Sequence, residues 1–358
     1  MSTDPFTSRA GAVGSPPQHY GNPVGEQRAL AAGDAIVDLS DRDVLSITGD
    51  DRLSWLDSLT SQRLIGLAPG VAAETLLLDP SGRVEYAARV LDDGETTWLL
   101  MDAGTGAGLL AFLSRMRFML RVEVADRTGE FATVGTLGAP VAPTAERNGV
   151  PLVWNDPWRA VVAGGHQYAA ADSHPADEWT YAEVLVERDR LDELADVPAA
   201  GTVALEALRI AAWRPRAATE VDATTIPHEL DWLRSAVHLT KGCYRGQETV
   251  AKVHNLGHPP RRLVLLHLDG SDGVLPGAGD AVSNGETEVG RVTAAALHHE
   301  LGPIALAVVK RSTSPDSTLT VTSSDGVAIA AAQQVIVPTD AGAEADIPRL
   351  PRLGAVQR

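Results

Sequence analysis

Residues 241–249 read KGCYRGQET and concentrate reactive side chains in one short run. The run holds the only cysteine of the chain, Cys243, together with an ammonium, a guanidinium, a carboxylate and a carboxamide. Gly242 and Gly246 interrupt it, and glycine disfavours the interior of a helix or strand. The break NLGHPP follows at 255–260, and an apolar segment comes next. We therefore predict a functional loop at a domain junction.

The segment after this break has the pattern of a small β-barrel. Short runs of aliphatic and β-branched residues are joined by turn signals such as Asn284-Gly285 and Asp325-Gly326. About five closely spaced strands of this kind predict a barrel rather than an open sheet. We place the barrel at residues 259–340 and a tail at 341–358.

The chain before the signature run alternates hairpin signals with amphipathic helices. Residues 29–258 are predicted to form an α+β region of two subdomains, with a boundary near 145–160. Residues 1–28 are rich in Pro, Gly and Ser and are predicted to be a flexible arm. The acid-rich stretch 178–194 is interpreted as a solvated helix. The loop 102–108 lacks the full glycine spacing of a dinucleotide site, so a plain helix entry is preferred there.

Composition excludes several classes of function. A formal charge of −17 over 358 residues disfavours broad nucleic-acid binding. One cysteine cannot form an internal disulfide, and no histidine cluster has metal-ligand spacing, so we predict no metal site. The first residues lack an apolar signal-peptide core and no run of 18 apolar residues occurs, so a cytoplasmic protein without a membrane span is expected. No coiled-coil heptads occur, so a monomer is expected.

The residues around Cys243 leave two interpretations open. If the run 241–245 is extended, Lys241, Cys243 and Arg245 point to the same side. Two cations beside a sulfur favour the thiolate, which is the form that acts as a nucleophile, redox group or metal ligand. The alternative is that Cys243 is a small hydrophobic side chain in ordinary packing.

The run KGCYRGQE resembles the signature of the YgfZ-type folate-binding proteins. These share a fold with the aminomethyltransferase, or T-protein, of the glycine cleavage system. The resemblance extends over about residues 33–335, for example to LLLDPSGRVEYAARVL at 76–91. It implies an α+β, T-protein-like folate-binding fold, with antiparallel sheets and helices around a central pocket for tetrahydrofolate. A small C-terminal β-barrel closes the pocket, and the signature loop lies beside it.

The same resemblance implies a function. YgfZ-type proteins support assembly or repair of iron–sulfur clusters in client enzymes, including radical enzymes that modify tRNA. We therefore expect folate and iron–sulfur client or assembly proteins as partners, with Cys243 as a functional thiol. The resemblance carries over Lys241 and Cys243 as the functional motif. The expected folate contacts are Lys241, Gly242, Tyr244, Gly246, Gln247 and Glu248, with further polar contacts from Arg209, Arg216 and Glu220.

This sequence differs from the T-protein pattern at two positions, and these differences rank the possible functions. The resemblance implies a catalytic aspartate in the helix after the strand at 98–101, where counting gives Gly108 or Leu109. It also implies a folate-contacting glutamate where this chain has Ala211. An aliphatic group cannot act as a general base. A folate-dependent one-carbon transferase or demethylase therefore ranks second and a binding module without chemistry third. We lean towards a protein that is not an enzyme.

Overall fold

The computed structural model describes residues 4–139, 143–170 and 174–345. The strands in these ranges are β1 Val13–Gly14, β2 Pro17–His19, β3 Ile36–Asp38, β4 Asp43–Thr48, β5 Ala72–Leu78, β6 Val84–Asp92, β7 Thr96–Met101, β8 Glu123–Asp126, β9 Phe131–Thr136, β10 Glu146–Arg147, β11 Val150–Pro151, β12 Val153–Asn155, β13 Ala182–Glu187, β14 Ala199–Ala200, β15 Arg261–Leu268, β16 Ala281–Asn284, β17 Thr287–His298, β18 Gly302–Lys310, β19 Thr318–Thr322 and β20 Ala328–Val335. The α-helices are α1 Pro23–Ala31, α2 Arg52–Leu59, α3 Gly106–Arg115, α4 Thr202–Ala211, α5 Ala217–Glu220 and α6 Gln247–Leu256. None of the helices described is long and apolar enough to cross a bilayer.

Two five-stranded sheets precede the barrel. The first has the strand order β5-β6-β7-β4-β8 and is antiparallel throughout. The second has the order β12-β13-β9-β3-β14, with β14 parallel to β3. The chain passes from the first sheet to the second at residues 127–130, and β3 belongs to the second sheet although it precedes the first. The two sheets therefore do not divide at the predicted boundary near 145–160.

The C-terminal barrel is confirmed. Strands β15 to β20 close in the order β15-β18-β17-β16-β19-β20, one strand more than the turn signals suggested. Alternation along each strand fills the barrel interior with small and branched residues such as Val264, Leu266 and Ala305. The other face of β15 contributes Leu263 and Leu265 to the core that it shares with the sheets. The barrel is thus packed onto the rest of the protein through an apolar face.

The N-terminal segment differs from the predicted flexible arm. The residues described from Asp4 onward form the β1–β2 hairpin and α1, and Phe6 is fully buried. The guanidinium of Arg9 donates to the carbonyls of Leu194 and Val197 at 2.8 and 2.6 Å. One Phe in a core and one anchored Arg order a segment whose proline and glycine content suggested disorder. Composition alone did not reveal these long-range contacts.

Two further expectations differ from the structure. The stretch 178–194 contains β13, a buried strand paired with β9 and β12, because the AEVLVE run is covered on both faces. The predicted tail begins as an ordered strap: the amides of Glu344 and Ala345 donate to the carbonyls of His254 and Asn255 at the end of α6. These bonds satisfy helix carbonyls that have no partner within the helix. The expected tail from 346 onward lies outside the described residues.

Candidate functional site

A cavity of about 410 Å³ opens between the sheets. Its walls come from β5 and β6 of the first sheet, from residues next to β3, β12 and β13 of the second, and from α4 and α5. The N-terminal hairpin supplies Ser15, Pro16 and Gln18 as a further wall. This volume lies in the range of small-molecule binding sites. The cavity is therefore the candidate ligand site.

Buried ion pairs build the floor of this cavity. Arg214 donates to Glu74 at 2.6 Å and to Asp156 at 2.8 Å, and all three side chains are almost completely buried. Behind the wall, the buried Glu183 accepts from Arg42 and, at 2.8 Å, from Arg89. Each of these guanidinium groups is neutralised by a carboxylate, as burial of a charge requires. They shape the cavity and leave little uncompensated charge inside it.

Asp102 is a carboxylate of the cavity that the sequence analysis did not single out. It follows β7 directly and lines the cavity, with Oδ1 3.0 Å from Arg89 Nη2. Burial alone would raise the pKa of Asp102, but the nearby guanidinium groups of Arg89, Arg42 and Arg216 outweigh it and hold the pKa below its usual range. Asp102 is therefore a fixed anion at neutral pH and a weak proton acceptor.

Arg209 and Glu220, two expected folate contacts, form an ion pair with each other. Arg209 Nη1 donates to Glu220 Oε2 at 2.9 Å, and its other nitrogens hold Glu206 at 2.5 and 2.9 Å. Glu220 is fully buried and also accepts from the amide of Arg216 at 2.7 Å. Arg209 lines the cavity, whereas Glu220 braces α5 behind it. Glu206 thus joins the cavity as a carboxylate whose pKa Arg209 lowers against the effect of burial.

Arg216 is the cation with the most freedom. It lines the cavity, its side chain is 32% exposed, and its nearest carboxylate oxygen, on Glu206, is 3.8 Å from Nη1. Nε has no hydrogen-bond partner among the described residues. Of the five arginines at the cavity, Arg42, Arg89, Arg209 and Arg214 all make closer ion pairs. Arg216 is therefore the group best placed to bind an anionic part of a ligand.

An aromatic pair forms another part of the wall. The rings of Trp179 and Tyr181 stack with centroids 5.1 Å apart and planes at 29°, and both line the cavity. Asp156 fixes the first ring through a 2.9 Å bond from the indole Nε1. Glu183 fixes the second by accepting from the phenol at 3.0 Å. These contacts give the cavity an immobile flat surface of the kind that a planar ring can pack against.

The signature run lies elsewhere. Lys241 is buried, and its Nζ donates to three carbonyls at the C-terminal end of α2, that of Asp57 in its last turn and those of Thr60 and Gln62 just beyond it. Burial lowers the pKa of Lys241 to about 8, against the opposing carboxylate of Asp57. The ammonium therefore stays charged at neutral pH. Its contacts are those of a helix C-cap, and they tie the signature loop to α2.

The environment expected for Cys243 is only partly present. Cys243 is exposed, and the run 241–245 forms bends and a turn rather than a strand. The ammonium of Lys241 is used at α2, while the guanidinium of Arg245 pairs with Glu85 at 2.6 Å and lies 5.6 Å from the ring of Phe112. Both cations that were expected to flank the sulfur are thus committed to other groups.

The remaining signature residues build the loop. Gly246 has φ +84°, and an added Cβ would come within 2.6 Å of the carbonyl oxygen of Asp79, so the position requires glycine. Gln247 donates to the carbonyl of Lys241 at 3.2 Å. Tyr244 is buried with its ring 5.1 Å from Lys241 Nζ. Gly242 and Glu248 are exposed. None of the six signature residues expected at the folate lines the cavity.

The structure brings together residues that sequence reasoning missed. The missed members of the cavity are Arg42, Glu74, Arg89, Asp102, Asp156, Trp179, Tyr181, Glu206 and Arg214. They come from separate strands and helices, and no local motif links them. One signal was present: a charged residue inside an apolar strand, such as Arg89 in β6, has to find a buried partner. Within the described ranges, no group of His, Cys, Asp and Glu is arranged to hold a metal ion.

Comparison with known proteins identifies this architecture. The structure superposes on the glycine cleavage system aminomethyltransferase T from Bartonella henselae with a TM-score of 0.69, covering 93% of this chain and 95% of that one at 15% identity. The protein therefore has the aminomethyltransferase T-protein fold, as the resemblance implied. Residues 261–337 match the glycine cleavage T-protein C-terminal barrel domain.

Sequence relatives point to the same group of proteins. The chain is 27% identical over 304 residues to an aminomethyltransferase of Nostoc sp., with 79% of both chains covered. It is also 27% identical over 256 residues to a putative chloroplastic transferase of Arabidopsis thaliana, with 67% of this chain covered. The match spans 57% of the length of that plant protein. The structure is thus aminomethyltransferase-like in its sheets and its barrel.

Proposed function

We propose that the protein binds tetrahydrofolate in the central cavity. The observation that carries this proposal is the cavity itself, a site of about 410 Å³ between the sheets of a T-protein fold. Its chemistry fits the ligand. The pyrimidine ring of a reduced pterin is flat and carries N–H donors, which suits the Trp179–Tyr181 wall and the carboxylates of Asp102 and Glu206. The glutamyl tail is anionic, which suits Arg216.

Titration of the protein with tetrahydrofolate tests this assignment. Arg216→Met should weaken binding about 10-fold to 100-fold, since a hydrogen bond to a charged group contributes about 1.5–3 kcal/mol. Arg83→Met is the matched control, because Arg83 is exposed and does not line the cavity. Calorimetry gives both affinities. Absence of binding by the wild type at high micromolar ligand would refute the folate assignment, and equal affinities would remove Arg216 from the site.

We further propose that the folate-bound protein is an accessory factor for iron–sulfur enzymes, including those that modify tRNA, with Cys243 as its functional thiol. The signature run supports this role through its resemblance to YgfZ-type proteins, and the exposure of Cys243 makes the thiol accessible to a client. The cytoplasm is the proposed compartment, because a lone exposed thiol suits a reducing environment.

Complementation of a deletion strain tests the role of the thiol. Cys243→Ser is expected to lose most of the support for an iron–sulfur tRNA-modifying enzyme, measured as the modified fraction of its tRNA. Gly242→Ala is the control, because Gly242 has open space around its Cα. Full complementation by the serine variant, at equal protein level, would assign Cys243 to surface packing and favour a binding module without chemistry.

One observation favours a second function, one-carbon transfer from an amine to tetrahydrofolate. Asp102 places a carboxylate in the cavity, although the position that the resemblance implies for the catalytic aspartate holds Gly108 or Leu109. Tetrahydrofolate, when bound, would supply the one-carbon acceptor, and Asp102 would hold a cationic group by charge. Turnover of an aminomethyl donor that requires tetrahydrofolate and is lost in Asp102→Asn would place this function first.

A further inference from the structure

An apolar surface tip stands at the end of α3. It consists of three consecutive residues, Phe118, Met119 and Leu120, which are 82%, 99% and 43% exposed. The other large exposed hydrophobic residues described are not consecutive in the chain. Single exposed apolar residues are ordinary, whereas a contiguous exposed run marks an interaction surface. A soluble domain gains nothing by presenting a Phe and a Met to water at one point.

The tip is held in place from both sides. Before it, the indole of Trp55 donates to the carbonyl of Met116 at 3.2 Å. After it, the amide of Arg121 donates to Asp51 at 2.9 Å, and Gly49 packs against the carbonyl of Arg121, where an added Cβ would lie 1.9 Å from the oxygen. Between these clamps Phe118 has φ +43°, an uncommon conformation for a bulky residue. The exposed side chains are thus presented by a fixed turn.

Two unpaired arginines lie directly before the tip. Arg115 and Arg117 are exposed and make no ion pair with any described residue. Arg121, on the other side of the tip, is paired with both Asp50 and Asp51. The whole chain carries −17. The tip thus combines apolar side chains with two unpaired guanidinium groups, and its complement is apolar with carboxylates at its border.

The residue types favour a protein as the occupant. Aromatic residues, Met and Arg are enriched at protein interfaces and among their strongest contacts. An anionic membrane fits less well, because its wide surface would repel a chain of this net charge, and three side chains give weak insertion. A second copy docked tip to tip would bring unpaired arginines together. We propose that the apolar tip, with Arg115 and Arg117, docks a different protein that presents an apolar recess bordered by carboxylates.

The tip lies on the same side of the protein as α3, which contacts the signature loop. Arg245 of the signature loop lies over the ring of Phe112, on α3, the helix that precedes the tip. Phe112 and Met116 are four residues apart and share one face, about 6 Å along the axis. A partner held at the tip would lie near the loop that exposes Cys243. The inference itself does not depend on folate binding, since no tip residue lines the cavity.

A photo-crosslinking amino acid at Met119, in the full chain expressed in its own host, identifies the partner. The same amino acid at Leu275, an equally apolar exposed site on the barrel, is the control. The partner recovered at Met119 but not at Leu275 is then purified and used as the probe. Its affinity is measured for the wild type, for Arg115→Glu with Arg117→Glu, for Phe118→Ser with Met119→Ser, and for Leu275→Ser.

Both tip variants are expected to lose at least 10-fold in affinity while keeping the wild-type melting temperature, and the wild-type affinity should fall as salt rises. Leu275→Ser should bind as the wild type does. The proposal is overturned if Met119 gives no adduct above the control, or if the tip variants bind the partner unchanged. It is also overturned by tip-dependent sedimentation with phosphatidylcholine–phosphatidylglycerol vesicles, or by tip-dependent self-association.

Discussion

Replacing Lys241 by methionine is expected to lower the free energy of unfolding by about 2–4 kcal/mol, because the change strands buried acceptors. The ammonium bonds the carbonyls of Asp57, Thr60 and Gln62, and its Nζ is 3.5 Å from the carboxylate of Asp57. Methionine has nearly the same length and fills the same space, so the loss is one of polar contacts and not of packing. Denaturant unfolding measures it.

The matched control is Lys252→Met, since Lys252 is an exposed lysine on α6. That variant should change stability by no more than about 0.5 kcal/mol, as surface substitutions usually do. A stable Lys241→Met protein that had lost only folate binding would contradict the structural role. It would return the signature lysine to the ligand, where the resemblance had placed it.

Replacing Asp231 by asparagine is expected to remove one contribution to the pH dependence of the free energy of unfolding. Asp231 is fully buried, and burial raises the pKa of its carboxyl to about 7, against the amide of Tyr168 and the charge of Arg234. A carboxyl with a raised folded-state pKa stabilises the protein below the unfolded value of about 4, and that contribution is lost as pH rises through 7. The difference of about three pKa units corresponds to about 4 kcal/mol.

Asparagine keeps both the 2.6 Å bond from the amide of Tyr168 and the left-handed backbone at φ 55°, which asparagine tolerates. The asparagine side chain does not titrate, so any stability that its amide group loses is the same at every pH. The stability of Asp231→Asn relative to the wild type should therefore rise by about 4 kcal/mol between pH 4 and pH 8 and then stay level. Unfolding at a series of pH values checks this, with Asp325→Asn on an exposed barrel turn as the control.

Two buried histidines oppose this slope in the wild type and outweigh it. Burial lowers the pKa of His228 to about 3 and that of His174 to about 4. Their contribution is present above about pH 6.5 and is lost on acidification, opposite in sign to that of Asp231. Between pH 4 and 6.5 the two histidines together outweigh Asp231, so the wild type should lose stability as pH falls, and Asp231→Asn should lose it more steeply. Parallel curves for the two proteins would contradict the raised pKa.

The sequence alone determined the local features of this protein. Alternating aliphatic residues and Asn-Gly turns predicted the barrel, because strand periodicity and turn chemistry are written in neighbouring residues. The signature run predicted the T-protein fold through its resemblance, and Gly246 shows why the run is specific: its backbone conformation and its contact with the 79–82 turn admit no side chain. Composition misled at the N terminus, where Phe6 and Arg9 order a segment rich in proline and glycine.

The surroundings of the cavity and the role of the signature run could be read only from the folded structure. Asp102, Arg216, Glu206 and Trp179 meet there from four separate parts of the chain, and no spacing rule connects residues that ion pairing and sheet topology bring together. The sequence placed Lys241 beside Cys243, yet the ammonium turns to the end of α2, because buried carbonyls in need of a donor attract it more than an exposed sulfur does. The hydrogen bonds of buried carbonyls thus direct the Lys241 ammonium to α2, while Cys243, two residues later, stays exposed.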